Sequence, residues 1–320
     1  MVYLFCIAVL STGQQVAPVS IGKLTSYPGG LVSRDGSYWY GSGWARVDLK
    51  SGKWYSEGWL RAGLFKGDPP IPFARTENQA HYDMVAGFGS PNKITHTEQT
   101  GEKQYASDAL NGDRLLMYTE PRLATEVNKY VVLTEFHLDS RRDGTKNVCW
   151  LLALPSLHAT TVGARYLDEA SFEVWVVQPG QRNWAIVRYV GQRGDPKAGL
   201  RRDRRVELVG FPASEEGPGG WFVPNSFEPD TGRFVLGRNS FNSYDLVDAR
   251  GDVKASYTPE PDPSRGRSGA YTLAVWHLTV SDKSVPGGKS AWRPIARSAD
   301  GKHWLVREAA GKDHKLIKLK

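Results

Sequence analysis

The run "SRDGSYWYGSGWARVDLKSGKW", residues 33–54, is the feature that most limits the fold, because it recurs along the chain. Asp35-Gly36 is a tight-turn dipeptide: glycine tolerates positive φ, and the aspartate can bond its own backbone. Aromatic Tyr38, Trp39 and Tyr40 follow at once. From Ala45 apolar and polar residues alternate strictly, with Ala45, Val47 and Leu49 on one face, the pattern of a half-buried strand. Ser51-Gly52 turns the chain back into Lys53-Trp54-Tyr55. These connections are too short for a parallel crossover, so the local unit is an antiparallel meander.

The same layout returns in "FEPDTGRFVLGRNSFNSYDLVDARGDV", residues 227–253, and in "RSADGKHWLVREAAGKDHKLIKLK" at the end of the chain. Weaker copies lie at "DALNGDRLLMYTEP" and in the hairpin "SFEVWVVQPGQRNWAIVRYV", which turns at Pro179-Gly180. On Asp35, Gly36, Asp48, Leu49 and Gly52, then Asp230, Gly232, Asp245 and Leu246, then Asp300 and Gly301, the chain resembles the β-propeller repeats of the TolB-like, quinoprotein-like and WD-type group. The resemblance implies an all-β fold. It carries no catalytic residues with it.

With 320 residues, 34 Gly and 19 Pro, the chain suits one domain rich in turns, and a blade of roughly 40–50 residues predicts about six or seven four-stranded blades. No long segment has a helical period. The apolar block "GTKNVCWLLALPSLHATTVG" is interrupted by Pro155, so no transmembrane segment is expected. Residues 2–10 are apolar and lead into Ser-Thr-Gly, the flank of a signal peptide, although no Lys or Arg precedes them. The expected organisation is a signal peptide over residues 1–18 and a single propeller domain over 19–320. Residues 14–20 show little structural pattern. Cys6 and Cys149 are the only cysteines, and Cys149 in "VCWLL" reads as core, so burial and strand pairing must supply stability.

A net charge of +7 is basic without being extreme, and its densest cluster is Arg201, Arg202, Arg204 and Arg205 around Asp203, suited to an anionic partner. Motifs with specific chemistry fail at named residues. Gly288-Lys289-Ser290 lacks the upstream glycine of a phosphate loop, since Lys283 stands there. "GFGSPN" ends in Asn92 where a dinucleotide loop needs glycine, and there is no Gly-x-Ser-x-Gly elbow. His-Glu-x-x-His, paired Cys-x-x-Cys and the calcium loop are missing too, so no metal and no cofactor are expected. His81 and Asp83, and likewise His137 and Asp139, stand two apart, which on a strand places both on one face for proton transfer. They are the catalytic candidates. Trp39, Trp44, Trp54 and Trp59 crowd one repeat, where strand aromatics serve packing. Trp221 and Phe222 follow the glycine-rich "EEGPGG" and are the ligand-binding candidates.

Three functions follow. The leading one is a secreted or periplasmic propeller, monomeric, that binds a protein or glycan through loops on one face. The second is a propeller enzyme, a hydrolase or lyase acting on glycans or another small polar substrate. The third is an intracellular, cytoplasmic interaction scaffold. Nucleic-acid motifs are absent, so no nucleic-acid partner is expected.

Overall fold

A computed structural model describes residues 15–19, 30–41, 46–55, 73–74, 103–120, 130–138, 145–154, 156, 158–195, 198–213, 220–238, 243–259, 266–279, 292–308 and 313–319. Among these are twenty-one strands and one helix, so the fold is all-β. The strands form four sheets. In chain order, sheet one takes β1 (Gln15–Val19), β2 (Leu31–Val32), β3 (Tyr38–Tyr40), β4 (Arg46–Asp48), β5 (Trp54–Tyr55), β19 (Trp292–Arg297), β20 (His303–Glu308) and β21 (His314–Lys318). Its spatial order is β1-β21-β20-β19-β2-β3-β4-β5. Sheet two takes β6 (Phe73–Ala74), β7 (Lys103–Asn111), β8 (Arg114–Glu120), β9 (Tyr130–Leu138) and β10 (Thr145–Ala153), with β6 parallel on the outer edge of β10. Sheet three is the meander β11 (Thr160–Tyr166), β12 (Ser171–Pro179), β13 (Asn183–Gln192) and β14 (Leu200–Pro212). Sheet four is the meander β15 (Trp221–Phe222), β16 (Phe234–Gly237), β17 (Tyr244–Val247) and β18 (Val253–Tyr257).

The expectation of six or seven four-stranded units is not what these strands form. Strands of nine to thirteen residues in sheets two and three use more chain per sheet than the short repeat that set the count. Sheet one is itself two antiparallel meanders, joined where β19 meets β2 in parallel at the single pair Arg297 and Leu31.

Successive meanders pack face to face. Tyr40 of β3 meets Leu115, Met117 and Phe136 of sheet two. Tyr118, Leu133 and Trp150 of sheet two meet Phe172, Val174 and Tyr189 of sheet three. The other face of sheet three sets Trp175, Trp184 and Leu208 against Phe222, Phe234 and Val247 of sheet four. Sheet three is therefore covered on both sides, which is why β12 is buried from Phe172 through Gln178 and its sequence does not alternate. Val32, Trp39 and Val47 pack on Ile295, Ala296 and Leu305, so the last meander rests on the first.

The helix α1 (Gly266–Thr279) lies where the sequence shows no helical period. Its Ala274, Val275 and Leu278 pack on sheet four, while Leu273 and Trp276 pack on Trp304, Val306 and Ile317 of sheet one. Wedged between two sheets, it buries the four consecutive residues Leu273, Ala274, Val275 and Trp276, so its apolar positions make no 3.6-residue stripe.

The repeated turns agree in hydrogen bonding. Ser33 N donates to Tyr38 O at 2.9 Å and Ser298 N to His303 O at 2.8 Å, while Gly36 N and Gly301 N each return to the serine carbonyl at 2.9 Å. Gly36 and Gly301 have φ of 75° and 72°, a conformation side chains resist. The repeat does differ from expectation at its second turn. Asp48 Oδ1 accepts from Lys50 N at 2.8 Å and Ser51 N at 2.9 Å, and the residue that does the same work is Asp248, accepting from Arg250 N at 2.8 Å. Asp245, matched to Asp48 on the Asp-Leu dipeptide, instead lies within β17 and accepts from Arg238 Nε at 2.7 Å.

Sheets three and four also meet through backbone, where Gly210 N donates to Ala249 O at 3.1 Å. A Cβ at Gly210 would stand 1.9 Å from Arg250 O. Gly210→Ala is therefore expected to cost about 1–3 kcal/mol, as forced overpacking does. Gly163→Ala, where a Cβ meets nothing within 4 Å, should stay within about 0.5 kcal/mol of the parent. Urea unfolding of the two variants checks the pair.

Candidate functional site

The richest chemistry among the described residues is a seam of buried charge where the first strands of the meanders approach one another. The 33–38 turn lies on β7, with Arg34 N donating to Ala109 O at 2.8 Å, and this fixes the Arg34 side chain beside Asp108. Arg34 Nε donates to Asp108 Oδ1 at 3.0 Å, and its Nη2 bonds Asp108 Oδ2 and, at 2.9 Å, Tyr166 O. Tyr166 N donates to Asp108 Oδ2 at 2.9 Å. The carboxylate thus links sheets one, two and three. Burial raises the Asp108 pKa, and Arg34 and the backbone N–H groups only partly offset it.

Beside it, the Ser107 hydroxyl lies 2.5 Å from Ala164 O and 2.8 Å from Asn225 Oδ1, while Asn225 Nδ2 donates to Ala106 O at 3.2 Å. Asn225, at φ 54°, is the one non-glycine residue in the left-handed region among the described residues. Its amide ties sheet four to sheet two across the first strand of sheet three. Further out, Arg193 Nε donates to Glu135 Oε1 at 2.6 Å, and its guanidinium lies 4.9 Å from the Tyr166 ring centre. Burial first, and the Glu135 charge second, push the Tyr166 phenol well above its ordinary pKa. On sheet three Glu173 holds Arg165 at 2.5 Å and Arg188 at 2.7 Å, and Arg188 reaches Asp203 at 2.9 Å.

Arg297 differs from the other arginines of the seam. Its guanidinium has no carboxylate within ion-pair distance among the described residues, touches Thr279 Oγ1 at 3.4 Å and lies 6.0 Å from the Trp304 ring centre. Burial lowers its pKa to about 10 against the pull of Glu228 and Asp300. Glu228 is raised, also by burial, despite a bond from Thr231 and the charges of Arg233 and Arg297.

The residues singled out in the sequence are scattered. Phe222 is core, 7% exposed and 5.3 Å from the Phe234 ring. Trp221 is half-buried on β15, edge-on to Tyr244 at 6.0 Å and stacked over Gly237. Both sit in a strand, not in the loop expected of them. Arg201, Arg202, Arg204 and Arg205 lie together, exposed, on β14. His137 falls on β9, opposite Lys146 and Arg114, whereas His81, Asp83 and Asp139 lie outside the described residues. Trp39 is core and Trp54 is 38% exposed, meeting it edge-on at 6.1 Å. Sequence reasoning missed Arg34, Asp108, Glu135, Glu173 and Arg193. The available signal was a single acid inside an apolar strand, as in "YVVLTEFHL" and "SFEVWVV".

Among the described residues no three His, Cys, Asp or Glu side chains gather as a metal site would require, and no helix is long and apolar enough to cross a membrane. In comparison with known proteins, the chain matches no family model and no curated protein.

Proposed function

We propose that the chain is a five-bladed β-propeller, secreted or periplasmic, that binds a protein or glycan at its surface. Five antiparallel meanders support the ring: β2 to β5, β7 to β10, β11 to β14, β15 to β18, and β19 to β21 completed by β1. Each of the first three packs on the next, α1 lies between the fourth and the last, and the last packs on the first. The observation that carries a binding role is that Asp108, Glu135 and Glu173, the buried acids of the seam, are each spent on an arginine. Arg34 with Asp108 and Arg193 with Glu135 are cross-braces between blades, each pairing an acid that is 0% exposed. Recognition is then left to the rim and the turns.

The unpaired Arg297 beside a raised Glu228 favours a second reading, a glycan-acting enzyme in which Glu228 serves as the acid. One experiment separates the two. The protein is passed over a glycan and peptide array and then incubated with the retained glycans. Retention without release of sugar is the expected result. Release that is lost in Glu228→Gln would establish the enzyme instead.

A further inference from the structure

We infer that the outer edge of β14 takes up an acidic, extended segment of a partner protein as an added strand. This rests on the binding reading and names its surface. The strand is thirteen residues long, the longest among the described residues, and pairs only with β13. The comparable outer edges are shorter: β6, on the outside of β10, has two residues, and β1, on the outside of β21, has five. β5 is two residues long, and β18 is five, with its Lys254 held by Asp248 at 2.8 Å. β14 is the longest sheet edge among the described residues; the next, β7 with nine residues, already accepts Arg34 N and Asp35 N at its Ala109 and Leu110 carbonyls. A row of unpaired backbone groups there is a template for another strand.

The side chains select the occupant. Residues 201–205 are all exposed, with Arg201 at 71%. Asp203, the only acid among them, is already committed to Arg188 at 2.9 Å and Arg201 at 3.2 Å. Arg204 and Arg205 make no ion pair among the described residues. Arg204 and Arg205 are consecutive and lie on opposite faces, so carboxylates at alternate positions of an incoming strand would meet one of these guanidiniums, according to the face they occupy, in a charge-assisted, two-pronged bond. Beyond them Val209 is 58% exposed, and Gly210 is fastened to Ala249, which ends the open stretch against sheet four. The free edge therefore runs from Arg201 to Val209, roughly 30 Å at about 3.3 Å per residue.

Arginines on an edge also guard it against self-pairing. The guard role and the docking role differ in what they bind. A labelled peptide of about ten alternating Glu and Val residues, its copy with alternate backbone nitrogens methylated, and a Lys-Val copy are titrated by fluorescence polarisation against the whole chain and its R204E/R205E variant. Docking predicts saturable binding of the Glu peptide alone. It also predicts a loss of about tenfold or more on methylation and again in the variant. The methylated peptide tests the idea on unaltered protein, so it does not depend on the variant folding. Equal binding of both Glu peptides would mean charge without strand addition and overturn the inference, as would no binding in low salt. If this edge is silent while the arrays still show retention, the edge proposal fails and the binding reading stands.

Discussion

Arg34→Met is expected to lower the stability of the fold by about 3–5 kcal/mol, the cost of leaving a buried charge without its partner. Asp108 is 0% exposed, and what remains to it after the substitution is its backbone donors, including Tyr166 N at 2.9 Å. The methionine replaces the stem of the arginine and none of its donors, so the loss is electrostatic and not a cavity. The pH dependence has a definite sign. Burial raises the Asp108 pKa in the folded state above its unfolded value of about 3.9. Such a group binds its proton more tightly when folded, so its contribution to stability is full below the unfolded pKa and lost as pH rises through the folded one. Removing Arg34 raises the folded pKa further. The gap in urea midpoint between variant and parent should therefore narrow as pH falls, with Arg34→Lys in between. A gap that is constant with pH would mean that Arg34 acts through packing.

What the sequence discloses and what it hides have a common cause. Turns are local: Asp35-Gly36 and Asp300-Gly301 need positive φ at one glycine, and the backbone bonds that require it span five residues, so the repeat is legible. Strand class is legible for the same reason. Burial on two faces is not, because it depends on which sheet comes to lie on the other side. Trp221 and Phe222 looked like a loop tip after "EEGPGG", and only the arrival of Trp184, Phe234 and Tyr244 makes them a packed strand. The Asp-Leu dipeptide aligns Asp245 with Asp48, whereas the hydrogen-bonding role of Asp48 lies with Asp248. Asp108 was in view within "DALNGDRLLMYTEP" and read as part of a turn copy. Its role comes from Arg34, 74 residues earlier, and from Tyr166, 58 residues later. A site assembled from three sheets leaves no spacing to find.

The N-terminal strand carries the other large expectation. Residues 14–20 show little structural pattern in the sequence. Gln15–Val19 nevertheless forms β1, paired residue for residue with β21 from Gln15 opposite Lys318 to Val19 opposite His314. Deleting residues 1–19 is expected to cost about 2–5 kcal/mol, from a five-residue ladder worth about 0.5–1.5 kcal/mol net per bond. It should also convert the protein to concentration-dependent oligomers, since the edge of β21 is then open to a second copy. The register gives a rescue. Because Gln15 faces Lys318 and the strands are antiparallel, the same five residues appended after Lys320 and an added Asn-Gly, with residues 319–320 and Asn-Gly forming a four-residue loop, would re-enter from the end of β21 in the native register. Restored stability and a monomeric elution profile are expected of that relocated strand. A chain that stays destabilised with the strand returned would show that the segment's connection to the first meander, and not its pairing with β21, is what the fold requires.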